Sequence, residues 1–132
     1  MIGVLLISQG KLAEGMYDTV KEELKEEVAQ FDYLSFSDSF QRDLLRKINL
    51  LETGDGVVIF SDRLGSYPTN YASLLLSKGI HVVTGMNLSM ILHFLNKRED
   101  GINFETLCQA GKDGVTHLNQ ILILEPEVQY GS

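Results

Sequence analysis

Two polar residues stand directly after buried, strand-like runs, and their side chains are the first candidates for chemistry. Gln9 follows the apolar run 2–7, and Asp62 follows the apolar run 57–60 and Ser61. In an open parallel sheet, the carboxyl ends of the strands border one crevice, where such folds bind ligands. We therefore predict that Gln9 and Asp62 share a site, whose chemistry depends on what Gln9 can do.

Strand-like and helix-like periods alternate along the chain, and these elements must position the two strand ends. Apolar residues recur every four positions from Leu12 to Val28, which predicts a helix. Four strand–helix units of this kind predict an α/β fold with a single, mostly parallel sheet and helices on both faces. Strands are predicted at 2–7, 31–36, 57–61 and 80–84, with a fifth at 120–124.

Several residues predict where the helices begin. Pro68 suits a first helical turn, where its missing N–H costs nothing. Asn87 and Asn103 are typical N-caps for two later helices. Asp38, with Gln41 three positions later, resembles a capping box. In the last predicted helix, the inward positions are Phe104, Leu107, Gly111, Val115 and Leu118.

Length and composition predict one globular domain that covers residues 1–132. A hydrophobic content of 44% and a mean hydropathy of +0.01 are typical of a folded, non-membrane chain. The net charge of −7 argues against nucleic acid, which is bound by clustered Lys and Arg. No apolar run approaches the roughly 20 residues that span a bilayer, so we expect no direct membrane insertion.

The cysteine and histidine content predicts a cytoplasmic protein without a metal or cofactor. The chain has one cysteine, Cys108, so it can form no internal disulfide, which fits a reducing cytoplasm. The first apolar run has no basic region before it and predicts a first strand rather than a signal peptide. His81, His93 and His117 lack a metal-ligand spacing, and no nucleotide-binding loop is present in the sequence.

Four segments follow one another along nearly the whole chain in a recognisable order. They are Ser8-Gln9-Gly10 with Leu12-Ala13-Glu14-Gly15, then Gly54-Asp55-Gly56-Val57 through Asp62, then Gly65-Ser66-Tyr67-Pro68-Thr69-Asn70, then Gly85-Met86-Asn87-Leu88-Ser89-Met90. In content and order these segments resemble a known family, the enzyme IIA component of the mannose/fructose/sorbose type of the bacterial phosphoenolpyruvate-dependent sugar phosphotransferase system.

The resemblance implies a phosphocarrier site and its partners. In the family, a histidine at the position of Gln9 accepts phosphate from the carrier HPr and passes it to the IIB component. Asp62 stands at the position of the carboxylate that orients this histidine. Backbone and side-chain groups around the crevice would contact the phosphoryl oxygens, and the matching residues are Ser8, Gly65, Ser66, Tyr67, Pro68 and Asn70. The resemblance also implies a homodimer that exchanges an antiparallel edge strand, and association with membrane transporter components.

The chain departs from the family pattern at three positions of this site. Gln9 replaces the histidine, Ser66 replaces a glycine and Tyr67 replaces a serine. A glutamine amide is neither a base nor a useful nucleophile, because its nitrogen lone pair is delocalised, but it still donates and accepts hydrogen bonds. These departures favour a natural, non-phosphorylatable relative that binds its partners or regulates an active paralogue.

Other interpretations remain open at the level of sequence. The protein could be an active carrier with an engineered His→Gln change, a small-ligand or anion-binding module on the same scaffold, or a relative of the dihydroxyacetone kinase phosphotransfer subunit. Asp62, Ser8 and Asn70 could equally serve as turn or capping residues. Tyr67 could close the crevice or pack on the surface.

Overall fold

The computed structural model describes residues 1–123, within which strands and helices alternate. The strands are β1 (Gly3–Ser8), β2 (Phe31–Ser35), β3 (Val57–Ser61) and β4 (Ile80–Val83). The helices are α1 (Leu12–Leu24), α2 (Phe40–Leu51), α3 (Tyr67–Ser73), α4 (Leu88–Lys97), α5 (Phe104–Asp113) and α6 (Leu118–Leu122), and a 3₁₀ turn (Arg98–Asp100) follows α4.

The four strands form one parallel sheet in the order β2-β1-β3-β4. All residues of the two central strands, β1 and β3, are buried. This is the pattern expected of a parallel sheet whose two faces are both covered by helices. The predicted α/β fold with four parallel strands is therefore confirmed.

Alternate residues along β1 point into two separate hydrophobic layers. Val4 and Leu6 pack in the layer to which α1, α4 and α5 contribute. Leu5 and Ile7 pack in the opposite layer, with α2 and α3. Since these four side chains are fully buried, the position of β1 is fixed from both sides, and so is the strand end that carries Gln9.

Three of the predicted helix starts are confirmed, and one is wrong. Pro68 lies in the first turn of α3. The side chains of Asn87 and Asn103 accept hydrogen bonds from backbone N–H groups in the first turns of α4 and α5, each at 3.0 Å. The N-cap of α2 is Ser39 instead of the predicted Asp38, and its hydroxyl donates to Asp43 within the helix at 2.6 Å.

The predicted end of the chain differs from the structure. Residues 118–122 form the short helix α6, so the fifth strand predicted at 120–124 is wrong over residues 120–122, and residue 124 lies outside the described part of the chain. Leu107 and Gly111 face inward as predicted, whereas Val115 and Leu118 are exposed. A short apolar run does not by itself distinguish a strand from a helix, which is why the sequence pattern is not decisive here.

No helix within residues 1–123 combines the length and the apolar character needed to cross a membrane.

Gly56 sits at a crowded point where three strands begin. Its carbonyl accepts a hydrogen bond from Gly3 at 3.0 Å, and the next residue, Val57, donates to the carbonyl of Gly79 at 2.8 Å. A Cβ on Gly56 would lie 2.8 Å from that Gly79 oxygen, and its φ of +89° disfavours any side chain. The register of β1, β3 and β4 therefore requires a glycine at position 56.

We predict that Gly56→Ala lowers the free energy of unfolding by about 3 kcal/mol, because it adds a clash with backbone to an unfavourable φ. Gly54→Ala is the matched control: Gly54 also has a positive φ, but a Cβ there meets nothing within 4 Å. It should lose only about 1–2 kcal/mol. Denaturant unfolding measures both values, and equal losses would contradict the packing argument.

Candidate functional site

The carboxyl ends of β1 and β3 converge on the carboxylate of Asp62. The backbone N–H of Gln9 donates to Asp62 Oδ2 at 2.9 Å, across 53 positions of sequence. The two residues are therefore neighbours, but the contact runs through the backbone of Gln9. Its exposed side-chain amide makes no hydrogen bond to any residue among 1–123.

The other oxygen of Asp62 holds the segment that leads into α3. Asp62 Oδ1 accepts from the Ser66 hydroxyl at 2.6 Å and from the backbone N–H of Arg63 at 2.9 Å. The Thr69 hydroxyl lies at 3.5 Å from the same oxygen and also donates to the Arg63 carbonyl at 2.8 Å. One carboxylate thus joins the end of β1, the end of β3 and the start of α3.

These contacts keep Asp62 ionised. Partial burial alone would raise the pKa of Asp62, but the hydrogen bonds from Ser66 and from the backbone N–H groups of Gln9 and Arg63 outweigh it. They hold the pKa below its ordinary value, because hydrogen bonds to a carboxylate favour its charged form. At neutral pH the site therefore contains a fixed negative charge beside position 9.

Ser8 serves the start of α1. Its side chain is fully buried, and its hydroxyl oxygen accepts from the backbone N–H of Ala13 at 2.7 Å. This bond satisfies one of the N–H groups that a helix leaves without an internal partner. The local structure therefore supports the capping interpretation of Ser8.

The loop 65–70 contributes both structural and exposed residues. Ser66 is the N-cap of α3, and its hydroxyl oxygen also accepts from the backbone N–H of Thr69 at 3.3 Å. Pro68 is buried in the first turn of the helix. Asn70 donates to the Gly65 carbonyl at 3.4 Å, and both residues are exposed.

Tyr67 is exposed but anchored in an aromatic cluster beside the crevice. Its ring stacks on Phe36 with centroids 5.6 Å apart. Phe36 in turn contacts Phe40 at 5.3 Å and Tyr71 at 6.1 Å. Phe36 and Tyr71 are not among the residues predicted from the sequence. The spacing of Tyr67 and Tyr71, four positions apart on one helix face, indicates Tyr71, whereas no sequence pattern indicates Phe36.

Neither histidine chemistry nor a metal centre is evident at this site. Within the described residues, no group of three His, Cys, Asp or Glu side chains is arranged to hold a metal ion. His81 lies on β4, where its ring packs on Phe104 at 4.4 Å, and His93 lies on α4. His117 precedes α6. The elements that form the crevice therefore supply a carboxylate, an amide, hydroxyls and backbone N–H groups.

Comparison with known proteins identifies the family. A sequence profile described as "PTS system fructose IIA component", where PTS is the phosphotransferase system, matches residues 3–110. The chain belongs to this IIA family. Family membership implies interaction with HPr and the IIB component of the phosphotransferase system. None of the curated proteins showed a significant sequence match.

Solved structures show the same fold as this IIA protein. A PTS IIA protein associated with the fucose utilization operon of Streptococcus pneumoniae has a TM-score of 0.80 at 22% identity, covering 91% of this chain and 95% of its own. The mannose/sorbose-specific IIA subunit from Enterococcus faecalis has a TM-score of 0.76 at 21% identity, covering 97% and 98%. Phosphotransferase system component EIIA from Streptococcus agalactiae has a TM-score of 0.78 at 17% identity, and the match covers 91% of this chain and 99% of that one.

We predict that Asp62→Asn lowers the free energy of unfolding at pH 7 by about 1 kcal/mol, since charge-assisted hydrogen bonds are weakened at a partly exposed site. The pKa of Asp62 is lowered in the folded protein, so its contribution is complete above the ordinary value of about 3.9. It is lost as the pH falls through the lower, folded-state pKa. The stability difference between the two proteins should therefore shrink below about pH 4.

Denaturant unfolding from pH 7 to pH 2 measures this difference. Asp18→Asn is the control, because Asp18 lies exposed on α1 and should show little effect at any pH. A difference that stays constant over the whole range, or grows towards acid pH, would contradict the proposed role of the Asp62 carboxylate.

Proposed function

We propose that residues 1–132 form a single IIA-type domain that binds HPr and the IIB component without relaying phosphate. Gln9 occupies the position of the family's phospho-accepting histidine, and the protein acts by binding or regulation in the cytoplasm. One observation carries this proposal: the residue that follows β1, and whose backbone bonds to Asp62, is a glutamine. Association with membrane transporter components would follow from IIB binding.

The chemistry of the amide supports an inactive site. Phosphoryl transfer to a side chain requires a nucleophilic lone pair at neutral pH, which imidazole supplies and a carboxamide does not. The Gln9 side chain also lacks a hydrogen bond to Asp62, the carboxylate that would stabilise developing positive charge on a histidine.

The surroundings of Gln9 support continued partner binding. Leu12, Leu64 and Tyr67 are exposed on the segments that follow the two strand ends. Exposed apolar side chains beside a crevice are typical of an interaction surface. A protein that keeps this surface and lacks an acceptor would compete with an active paralogue for HPr or IIB.

We predict that the protein gains no phosphoryl group when it is incubated with phosphoenolpyruvate, enzyme I and HPr, because position 9 offers no nucleophile. Intact-mass spectrometry measures the result directly. HPr in the same tube should become phosphorylated, which shows that the upstream reaction works. Phosphate on this chain, at any residue, would end the proposal.

Gln9→His is the informative variant in the same assay. If it becomes labelled, the chain retains a surface that HPr recognises, as the proposal requires. If it does not, binding of HPr to the unmodified protein, measured by calorimetry, decides the matter: the absence of binding would contradict the proposed role.

We further propose that the protein is a homodimer whose interface includes the β4 edge and the apolar face of α6. β4 pairs only with β3 among the described strands, so its outer edge is open to another chain. Val115 lies beside β4 in space, and the exposed residues Leu118, Ile121 and Leu122 follow it on α6. A run of exposed apolar side chains is unusual for a free surface.

We predict a mass of twice the 14.8 kDa chain in light scattering after gel filtration. The double variant Ile121→Lys and Leu122→Lys should shift the protein to a monomer, since it places charge on the proposed interface. Leu50→Lys is the matched control, because Leu50 is equally exposed but lies on α2, against the other half of the sheet. A monomeric parent protein would contradict the proposal.

A further inference from the structure

The shortest contact around Asp62 comes from Ser66, one of the positions that depart from the family pattern. The hydroxyl oxygen of Ser66 lies 2.6 Å from Asp62 Oδ1 and is almost completely buried. Distances of this size are typical of an O–H group that donates to an ionised carboxylate. The bond is therefore a strong, shielded part of the site.

Within the hydrogen-bond network, Asp62 Oδ1 is the best acceptor available to the hydroxyl proton of Ser66. Ser66 Oγ also lies 2.8 Å from Thr69 Oγ1, but the Thr69 hydroxyl has its own acceptor in the Arg63 carbonyl, at 2.8 Å. The lone pairs of Ser66 receive the backbone N–H of Thr69. The proton of Ser66 consequently goes to the charged oxygen of Asp62, which is the strongest acceptor within reach.

Residue 9 contacts the same carboxylate only through its backbone N–H group. Asp62 Oδ2 accepts the backbone N–H of Gln9, while Oδ1 accepts from Ser66, Arg63 and, at longer range, Thr69. Each donor withdraws electron density from the carboxylate and lowers its basicity. A carboxylate that is stabilised in this way has less attraction left for an imidazolium at position 9.

We propose that Ser66 is a positioning residue: its hydrogen bond holds the Asp62 carboxylate towards the start of α3. A histidine introduced at position 9 would therefore interact with a less basic carboxylate. Recovery of a fully activated imidazole would then require changes at both Gln9 and Ser66. This inference rests on the proposed function, in which position 9 is the phospho-acceptor position. It adds that two residues, Gln9 and Ser66, and not Gln9 alone, account for the proposed loss of activity.

The test is a pH titration of the introduced imidazole by NMR in Gln9→His and in the double variant Gln9→His/Ser66→Gly. Removing the Ser66 hydroxyl should raise the pKa of the introduced imidazole by about 0.5 or more, because Asp62 becomes a more basic partner. Glycine is chosen because it costs an N-cap only a few tenths of a kcal/mol. An unchanged or lower pKa in the double variant would overturn the proposal.

Three further variants make the result specific. Gln9→His/Ser66→Ala removes the same hydroxyl and should give the same rise, even if the glycine variant folds poorly. Gln9→His/Ser39→Ala is the matched control, since Ser39 also stands at the N-cap position of a helix and donates to an aspartate at 2.6 Å, but on α2. It should leave the pKa unchanged, and an equal rise there would overturn the proposal.

Gln9→His/Asp62→Asn completes the set. It should lower the pKa of the introduced imidazole, and no change would show that Asp62 does not act on position 9, which also overturns the proposal. His81, His93 and His117 provide internal references within the same spectra. The titration requires neither phosphate nor a partner. Phosphate found on the unmodified chain would therefore refute the proposed function and leave this measurement valid.

Discussion

The structure of the site depends on one carboxylate that is shared by three segments. Asp62 accepts the backbone N–H of Gln9 with one oxygen and the Ser66 and Arg63 donors with the other. These segments are distant in sequence and meet only because β1 and β3 are parallel neighbours with both faces buried. Without that charge, the hydrogen bonds that link the end of β1 to the start of α3 would be weaker.

The same interaction shows that the contacts of Asp62 in this chain do not depend on a histidine. In a phosphocarrier of this family, a carboxylate at the position of Asp62 would orient the histidine. In this chain it serves backbone and hydroxyl donors that need no histidine, so Gln9 can occupy the position without disturbing the fold. Tyr67 follows Ser66 in the sequence and stacks on Phe36, while most of its ring remains exposed. The crevice of this chain therefore combines internal hydrogen bonds around Asp62 with exposed apolar side chains nearby.

Much of the fold could be predicted from the sequence, because buried parallel strands and amphipathic helices have distinct periods. The convergence of Gln9 and Asp62 followed from the geometry of parallel strand ends. Which atom of Gln9 makes the contact could not be predicted, since it depends on the backbone direction after Ser8. The role of Ser66 likewise depends on a loop conformation that residue types alone do not determine. At the chain's end, a short apolar run is compatible with two periods, and the predicted strand at 120–124 proved wrong over residues 120–122.

The central claim is that a crevice without an acceptor still recognises the carrier. The most direct measurement is a titration of isotope-labelled protein with unphosphorylated HPr, followed by backbone amide shifts. The account predicts saturable shifts that centre on Gln9, Leu64 and Tyr67, around the two strand ends. Shifts confined to the opposite end of the sheet, or no shifts at saturating HPr, would contradict it.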